Sequence, residues 1–278
     1  MCGTCGCDEV SNETVSRGAD EHPGTGHRDT VAVERDVLAK NDEIAEDNRA
    51  WLASRECFAV NLMSAPGSGK TTLLESTVRE LTVDVFVGAV EGDQAGSLDA
   101  DRLRAVGCRV VQINTGSGCH LDADMLARAL RELDPPRRSL VVVENVGNLV
   151  CPALFDLGER RRVVLASTTE GEDKPLKYPH MFRAADLVVL TKSDLIPHLT
   201  FEVDHFARHL RRINPSAELL VTSAVSGEGL DQWFSWLRSQ LGLRSGAPVP
   251  SPVPSPASMP SRSSVSPVSS RAVPSASS

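Results

Sequence analysis

The chain has 278 residues, of which 41% are hydrophobic and only 4% aromatic, and its formal net charge is −8. This length and composition suffice for one large domain with a mainly aliphatic core. The negative charge disfavours binding to nucleic acids or anionic membranes, and no apolar run approaches the roughly 20 residues of a membrane-spanning helix. Since the N-terminus has no basic and apolar signal segment, we expect a cytoplasmic protein.

The first eight residues contain three cysteines. Cys2 and Cys5 form a Cys-x-x-Cys pair, and Cys7 adds a third thiol. Three thiolates and a terminal amine can form a four-ligand site for tetrahedral Zn²⁺ or square-planar Ni²⁺. Residues 1–8 are therefore predicted to bind a metal ion, the alternative being incidental thiols at a frayed terminus. The polar residues 9–32 are predicted to form a disordered linker.

Residues 33–243 are predicted to form an α/β domain. A helical pattern runs from about Val33 to Glu56, and later helical patterns at 70–81, 97–106, 121–133, 201–213 and 230–241 separate most of the apolar strand segments. This alternation indicates a mostly parallel sheet of about seven strands with helices on both faces. The Ser- and Pro-rich residues 244–278 are expected to be a disordered tail. The predicted strands are Ala59–Met63, Val83–Val90, Arg109–Ile113, Leu140–Glu144, Val163–Ser167, Leu187–Thr191 and Leu219–Thr222.

Residues 64–72, Ser-Ala-Pro-Gly-Ser-Gly-Lys-Thr-Thr, lie between the first strand and the next helix. A strand, a Gly-rich loop and a helix in this order are typical of a phosphate-binding loop, although Ser64 stands where G-x-x-x-x-G-K-[ST] has its first Gly. Backbone N–H groups would hold phosphate oxygens, Lys70 would reach the β- and γ-phosphates as a catalytic residue, and Thr71 would bind Mg²⁺. The nucleotide contacts predicted in this loop are Gly67, Ser68, Gly69, Lys70, Thr71 and Thr72.

The base site is predicted from Thr191-Lys192-Ser193-Asp194, which resembles the N/T-K-x-D guanine motif. The Asp194 carboxylate would accept the N1–H and N2–H₂ groups of guanine, which adenine lacks, and such sites discriminate by roughly 10⁴–10⁵. Lys192 would lie along the base, and the backbone of Ser223 and Ala224 would contact the base oxygen. Thr191 replaces the commoner Asn, with an expected loss of some capacity to tie the loop. The sequence therefore predicts binding of GTP and GDP.

Two acidic residues are predicted to act on the phosphates. Asp93 ends the second strand and is the best candidate to hold Mg²⁺ and to orient the attacking water, whereas Asp99 and Asp101 are interpreted as acids favoured at a helix N-terminus. Glu144 begins a D/E-x-x-G pattern and would reach the Mg²⁺ shell. The N–H of Gly147 would contact the γ-phosphate, so this segment would shift when that phosphate leaves.

A second set of metal-ligating side chains lies in Gly-rich loops at the same strand ends. Thiolates and imidazoles such as those of Cys119, His120 and Cys151 are zinc- or nickel-type ligands. Two or three ligands per chain do not fill a site, but two chains related by a two-fold axis could supply the rest. The alternative is buried apolar cysteines and a satisfied histidine, which is the role we expect for Cys57 and Cys108.

Many of these runs resemble the HypB family, GTPases that help to insert nickel into [NiFe]-hydrogenase. The resemblance implies a P-loop NTPase G-domain of the SIMIBI type that dimerises on GTP, with Cys119, His120 and Cys151 at the dimer interface. It also implies a tight nickel site at the three N-terminal cysteines. The implied partners are the small zinc protein HypA and the precursor of the [NiFe]-hydrogenase large subunit. The matching runs are Met1–Cys7, Ser64–Thr72, Gly92–Asp99, Val111–Gly116, Gly118–Ala123, Glu144–Pro152, Glu170–Pro179 and Gly227–Asp231.

The sequence hypothesis is thus slow GTP hydrolysis coupled to nickel handover, because Cys151 follows the Glu144–Gly147 segment and no strong general base is evident. One alternative is a urease-maturation GTPase, in which a Cys-Pro-His metal motif would be expected. A nickel storage or sensing protein with GTP as a structural ligand is another. Many HypB proteins carry a long histidine-rich stretch after the N-terminus; this chain lacks one, which argues against storage.

Overall fold

Seven parallel strands form the central sheet of the computed structural model, which describes residues 26–93, 96–116 and 118–243. The strand order is β3-β2-β4-β1-β5-β6-β7, and every pair of neighbours is parallel. This confirms the α/β fold class predicted from the alternating pattern. The strands are β1 (Phe58–Ser64), β2 (Val87–Asp93), β3 (Arg109–Asn114), β4 (Leu140–Glu144), β5 (Arg161–Ser167), β6 (Leu187–Thr191) and β7 (Glu218–Val221).

Helices cover both faces of the sheet. Alternate side chains of β1 enter different cores, because successive residues of a strand point to opposite faces. Val60 packs in one core with Leu74 and Trp233, while Ala59 packs on the other face with Leu52 and Leu130. The helices are α1 (Gly26–Ser54), α2 (Lys70–Leu81), α3 (Leu98–Ala105), α4 (Ala123–Leu133), α5 (Lys174–Lys177), α6 (Pro179–Arg183), α7 (Val203–Ile213) and α8 (Leu230–Gln240).

The structure corrects two predicted boundaries. Helix α1 begins at Gly26 instead of near Val33, so the predicted linker 9–32 overlaps it. Apolar periodicity marks where a helix packs, whereas a nucleated helix extends into polar sequence at little cost. Strand β2 begins at Val87 and not at Val83, because the N–H groups of Asp84 and Val85 bond back to the carbonyl of Leu81. The predictions for residues 1–8, for 9–25 and for the tail 244–278 lie outside the described residues.

Helix α1 is held close to the loop before β5. The Asn48 side-chain amide donates to the carbonyls of Ala123 and Leu157, at 2.8 and 3.0 Å. Next to Leu157, Gly158 has φ of +88°, and a Cβ added there would lie 2.3 Å from the carbonyl oxygen of Ala45. Glycine at 158 therefore permits both the left-handed backbone and the approach of the helix.

We expect Gly158→Ala to destabilise the fold more than Gly107→Ala. Gly107 has a similar φ of +85° but no atom within 4 Å of an added Cβ, so its substitution should cost only the left-handed backbone penalty of about 1–2 kcal/mol. Gly158→Ala should cost about 1–3 kcal/mol more, because α1 must also shift. Urea unfolding of both variants measures the difference. Equal losses would show that the close approach of α1 does not constrain this position.

Candidate nucleotide and metal sites

The phosphate-binding loop joins β1 to α2 at the C-terminal edge of the sheet. Gly67 and Gly69 have φ of +73° and +94°, a left-handed backbone that favours glycine. Glu170 supports the loop from the side, because its carboxylate accepts hydrogen bonds from the Ser68 hydroxyl at 2.6 Å and from the Ser167 N–H at 3.0 Å. Sequence reasoning assigned no role to Glu170. Glu170 belongs to the run Glu170–Pro179, which resembles the HypB family.

Lys70 and Thr71 are buried and already paired. The Lys70 ammonium donates to the Ser64 hydroxyl at 2.8 Å, so the residue that replaces the first glycine of the motif supplies a hydrogen-bond partner. The Thr71 hydroxyl donates to Glu144 at 2.6 Å. Burial lowers the pKa of Lys70, whereas burial raises the pKa of Glu144 against the opposing effects of Thr71 and Lys70. The structure thus brings together Lys70, Thr71 and Glu144, as the motifs predict.

A cavity of about 620 Å³ lies over this loop, and several carboxylates line it. Its lining includes the predicted Asp93 and Glu144, and also Asp99, which was interpreted only as a helix N-terminal acid. Asp99 does lie in the first turn of α3, where it pairs with Arg102 at 3.1 Å. Asp99 therefore lies both in the first turn of α3 and in the lining of the cavity.

Glu91 is the acidic residue that sequence reasoning missed. It lies on β2 opposite Glu144 of β4, is only 3% exposed and lines the cavity. Among the described residues, neither Glu91 Oε2 nor Glu144 Oε2 has a hydrogen-bond partner. Burial, followed by the charges of Glu144 and Asp93, raises the pKa of Glu91 to about 8. Buried carboxylate oxygens beside a threonine hydroxyl fit the oxygen-rich ligand set of Mg²⁺.

The predicted base residues converge on the far side of the loop. The Thr191 hydroxyl donates to the carbonyl of Ser68 at 2.7 Å, so threonine does tie the loop, and the expected partial loss relative to asparagine stays a prediction. Lys192 donates to the carbonyl of Gly67 at 2.8 Å. The Ser223 hydroxyl donates to the Asp194 carboxylate at 2.5 Å, so the Ser223 side chain contacts the predicted base-binding acid. The predicted role of Ser223 and Ala224 as backbone contacts to the base stays a prediction.

Cys119, His120 and Cys151 form one cluster. Their ligand atoms lie within 4.8 Å of one another, with the two sulfurs 2.9 Å apart. The His120 ring stacks on Phe155 at a centroid distance of 3.9 Å, and burial lowers the pKa of this histidine, which favours the neutral form that binds metals. All three ligands come from one chain, which leaves one position of a tetrahedral site for another ligand.

The other two described cysteines are structural, as expected. Cys57 and Cys108 are buried in the two cores, and burial raises the pKa of Cys108 to about 12, so this thiol does not ionise at neutral pH. The N-terminal cysteines Cys2, Cys5 and Cys7 lie outside the described residues. In the described part of the chain, no helix combines the length and apolar character needed to span a membrane.

Residues 58–221, from β1 to β7, match the family described as CobW/HypB/UreG, nucleotide-binding domain. The chain is 52% identical over 218 residues to the hydrogenase maturation factor HypB of Escherichia coli K12, which covers 78% of this chain and 75% of the relative. The chain belongs to the HypB family. The sequence motifs from Ser64 to Thr191 therefore lie in a domain that matches a nucleotide-binding family.

Solved HypB structures share the fold. HypB from Archaeoglobus fulgidus superposes with a TM-score of 0.69 at 41% identity, covering 73% of this chain and 100% of that protein. HypB from Helicobacter pylori was solved in complex with nickel and has a TM-score of 0.69 at 36% identity, covering 73% of this chain and 95% of that protein. One further relative, from Helicobacter hepaticus and 39% identical over 208 residues (73% of this chain and 85% of that protein), is named a hydrogenase/urease maturation factor HypB.

The raised pKa of Glu91 predicts a pH-dependent stability in the absence of magnesium and nucleotide. Between pH 4.5 and about 8 the folded protein holds a proton on Glu91 that the unfolded chain releases, so the free energy of unfolding falls as pH rises. One proton contributes at most about 1.4 kcal/mol per pH unit. Urea unfolding in EDTA should show this decline in the wild type and a flatter curve for Glu91→Gln.

Glu132→Gln is the matched control, because Glu132 is exposed on α4. This variant should keep the wild-type slope. Parallel curves for Glu91→Gln and the wild type would contradict the assignment of the proton to Glu91.

Proposed function

We propose that the chain is a GTP-hydrolysing nickel metallochaperone that delivers Ni²⁺ for assembly of the [NiFe]-hydrogenase active site. One observation carries the proposal: a single segment, Glu144–Cys151, borders both sites. Glu144 accepts a hydrogen bond from Thr71, and a Cβ added to Gly147 would lie 3.0 Å from Pro66 of the phosphate loop. Cys151 follows Gly147 by four positions, and its Sγ lies 2.9 Å from the Sγ of Cys119. A shift of this segment would therefore move Cys151 relative to Cys119 and His120.

The nucleotide is proposed to be GTP, held by the phosphate loop and by Thr191, Lys192 and Asp194. The proposal is supported by the Ser223 bond to Asp194, which fixes the carboxylate that would accept the guanine N–H groups. When bound with the nucleotide, Mg²⁺ would neutralise phosphate charge. Thr71, Asp93 and Glu144 would hold it, and the buried oxygens of Glu91 and Glu144 that lack partners fit such a cation.

Hydrolysis is proposed to be slow. Lys70 would neutralise the developing charge on the phosphates, and Asp93 would orient the attacking water. Among the described residues that line the cavity, none is a histidine. Glu91, whose pKa is raised to about 8, is assigned with Glu144 to the cation, so no base with a pKa near 7 is left to activate the attacking water. Slow turnover would suit a timer for metal release better than a metabolic enzyme.

Dimerisation on GTP is proposed to complete the metal site. Cys119, His120 and Cys151 supply three ligands, and a partner chain could supply the fourth. Val150 and Leu154, beside the ligands, are 46% and 49% exposed, which fits a surface that a second copy would cover. The ion would be Ni²⁺ as cargo, or Zn²⁺. Residues 1–8 are proposed as a second nickel site, with HypA and the hydrogenase large-subunit precursor as partners.

Base selectivity tests the nucleotide proposal. We expect wild-type protein to prefer GTP and GDP strongly over ATP, and Asp194→Asn to lose about 100-fold in GDP affinity, because an amide cannot accept both guanine donors and a charge-assisted pair is worth up to about 3 kcal/mol. Isothermal titration measures this. Asp231→Asn, on the exposed first turn of α8, is the control and should bind normally. Equal wild-type affinity for ATP and GTP would refute the assignment.

Nickel affinity in two nucleotide states tests the coupling. In a chain with Cys2, Cys5 and Cys7 changed to serine, Ni²⁺ affinity should differ about 5- to 150-fold between GDP and a non-hydrolysable GTP analogue, the range of ordinary allosteric coupling. Cys119→Ala should abolish this binding and leave nucleotide affinity intact, whereas Cys108→Ala should leave both intact. Equal nickel affinities in the two states would reject the coupling, since a ligand that does not discriminate states shifts nothing.

A further inference from the structure

Asn145 joins residues 144–148, the switch segment, to residues 119–123, the metal-ligand loop that carries Cys119 and His120. It follows Glu144 directly and is only 1% exposed. Its side-chain oxygen accepts hydrogen bonds from the Val146 N–H at 2.9 Å and from the Leu121 N–H at 3.3 Å. Leu121 is the next residue after His120. One amide oxygen therefore spans from the switch segment to the backbone of the metal-ligand loop.

The direction of the Asn145 amide is set by a chain of buried polar groups. The Glu159 carboxylate accepts from Arg162 at 2.7 Å and from the Asn61 amide nitrogen at 3.3 Å. Since a carboxylate only accepts, Asn61 must turn its oxygen the other way, where it accepts from the Asn145 nitrogen at 3.3 Å. This leaves the Asn145 oxygen facing Leu121. Glu159, Asn61 and Asn145 are all buried, so water does not compete for the hydrogen bonds between them.

A second asparagine of the same segment also reaches this loop. The Asn148 side-chain nitrogen donates to the carbonyl of Cys119 at 3.3 Å, and its oxygen accepts from the Val150 N–H at 2.8 Å. The segment 144–148 is thus tied to the metal-ligand loop on both sides of His120.

The other end of the loop is tied to α1, which does not line the phosphate cavity. Asn41 accepts from the Ala123 N–H at 2.9 Å, and Asn48 donates to the Ala123 carbonyl at 2.8 Å. Asn41 also donates to the carbonyl of Asp156 at 2.7 Å, so α1 holds both metal-bearing loops in place. The loop 119–123 therefore has one end bonded to α1 and the other bonded to the segment that contacts the nucleotide site.

We propose that Asn145 is a positioning residue that transmits the nucleotide state to Cys119 and His120. This rests on the proposed function, and adds to it a second connection besides the position of Cys151 in the same segment. When the segment 144–147 shifts on loss of the γ-phosphate, Asn145 carries the Leu121 N–H with it. The loop turns about its anchor at Ala123, and the distances from Cys119 and His120 to Cys151 change. The metal site is then remodelled from both sides.

Hydrogen–deuterium exchange of the peptide 118–123 tests the connection directly in the full chain. We expect exchange of this peptide to differ about fivefold or more between saturating GDP and saturating GTPγS, each with Mg²⁺. The reason is that the free energy of opening this loop would depend on which nucleotide is bound. Asn145→Ala should reduce this difference to less than about twofold. If Asn145→Ala does not fold, Asn61→Ala, which removes the group that orients the amide, should reduce the difference as well.

Asn41→Ala is the matched control, because it frees the same loop at its α1 end. It should raise exchange in both nucleotide states and keep the difference between them. A purely structural role for Asn145 would give this same pattern, so a difference retained in Asn145→Ala overturns the inference. A wild-type peptide that does not respond to the nucleotide overturns it too.

Nickel titration of the same variants separates this inference from the proposed function. In the background with Cys2, Cys5 and Cys7 changed to serine, Asn145→Ala should bring the ratio of Ni²⁺ affinities in the two nucleotide states close to one. In one outcome, the wild-type ratio of Ni²⁺ affinities is already one while exchange of the peptide 118–123 still depends on the nucleotide through Asn145. That result would reject the coupling of nickel to the nucleotide and support the role of Asn145. If the wild-type ratio is large and Asn145→Ala keeps it, the connection fails and the proposed function stands.

Discussion

The parallel pairing of β1 with β4 is the constraint on which the rest of the structure depends. Leu62 of β1 lies in register with Glu144 of β4, so the phosphate loop and the switch segment leave the sheet side by side. The buried bond from Thr71 to Glu144, at 2.6 Å, joins them. A shift of one residue in this register would turn Glu144 to the other face of the sheet and break the bond. The nucleotide site is therefore a consequence of strand pairing.

The pairing of β2 with β4 concentrates charge where water is scarce. Glu91 and Glu144 lie opposite each other on β2 and β4, and both are buried beside Lys70. Burial disfavours the charged forms of all three, raising the pKa values of the acids and lowering that of the lysine. A phosphate group and a divalent cation would each relieve part of this cost.

Buried asparagines organise the side of the domain that carries Cys119, His120 and Cys151. Asn41 and Asn48 on α1 and Asn145 in the switch segment bond the backbone of the loop at 121–123, which is not held by a strand of the sheet. Amides can donate and accept at once, so they hold loops whose backbone groups would otherwise be buried without partners. Hydrogen bonds of this kind can also rearrange without a repacking of the apolar cores.

Local patterns were enough to predict the seven strands and the phosphate loop, because each depends on residue type and short spacing. They also singled out the guanine motif and the residues Cys119, His120 and Cys151, whose roles stay predictions. They could not reveal Glu91, the support of Ser68 by Glu170, or the tie from Thr191 to the loop, since these contacts join residues more than 50 positions apart or face one another only across paired strands. The start of α1 was also missed, because polar helix carries no packing signal. The sequence by itself determined which chemistry is present. Only the tertiary structure decided which groups meet, because strand register and helix packing are properties of the whole chain.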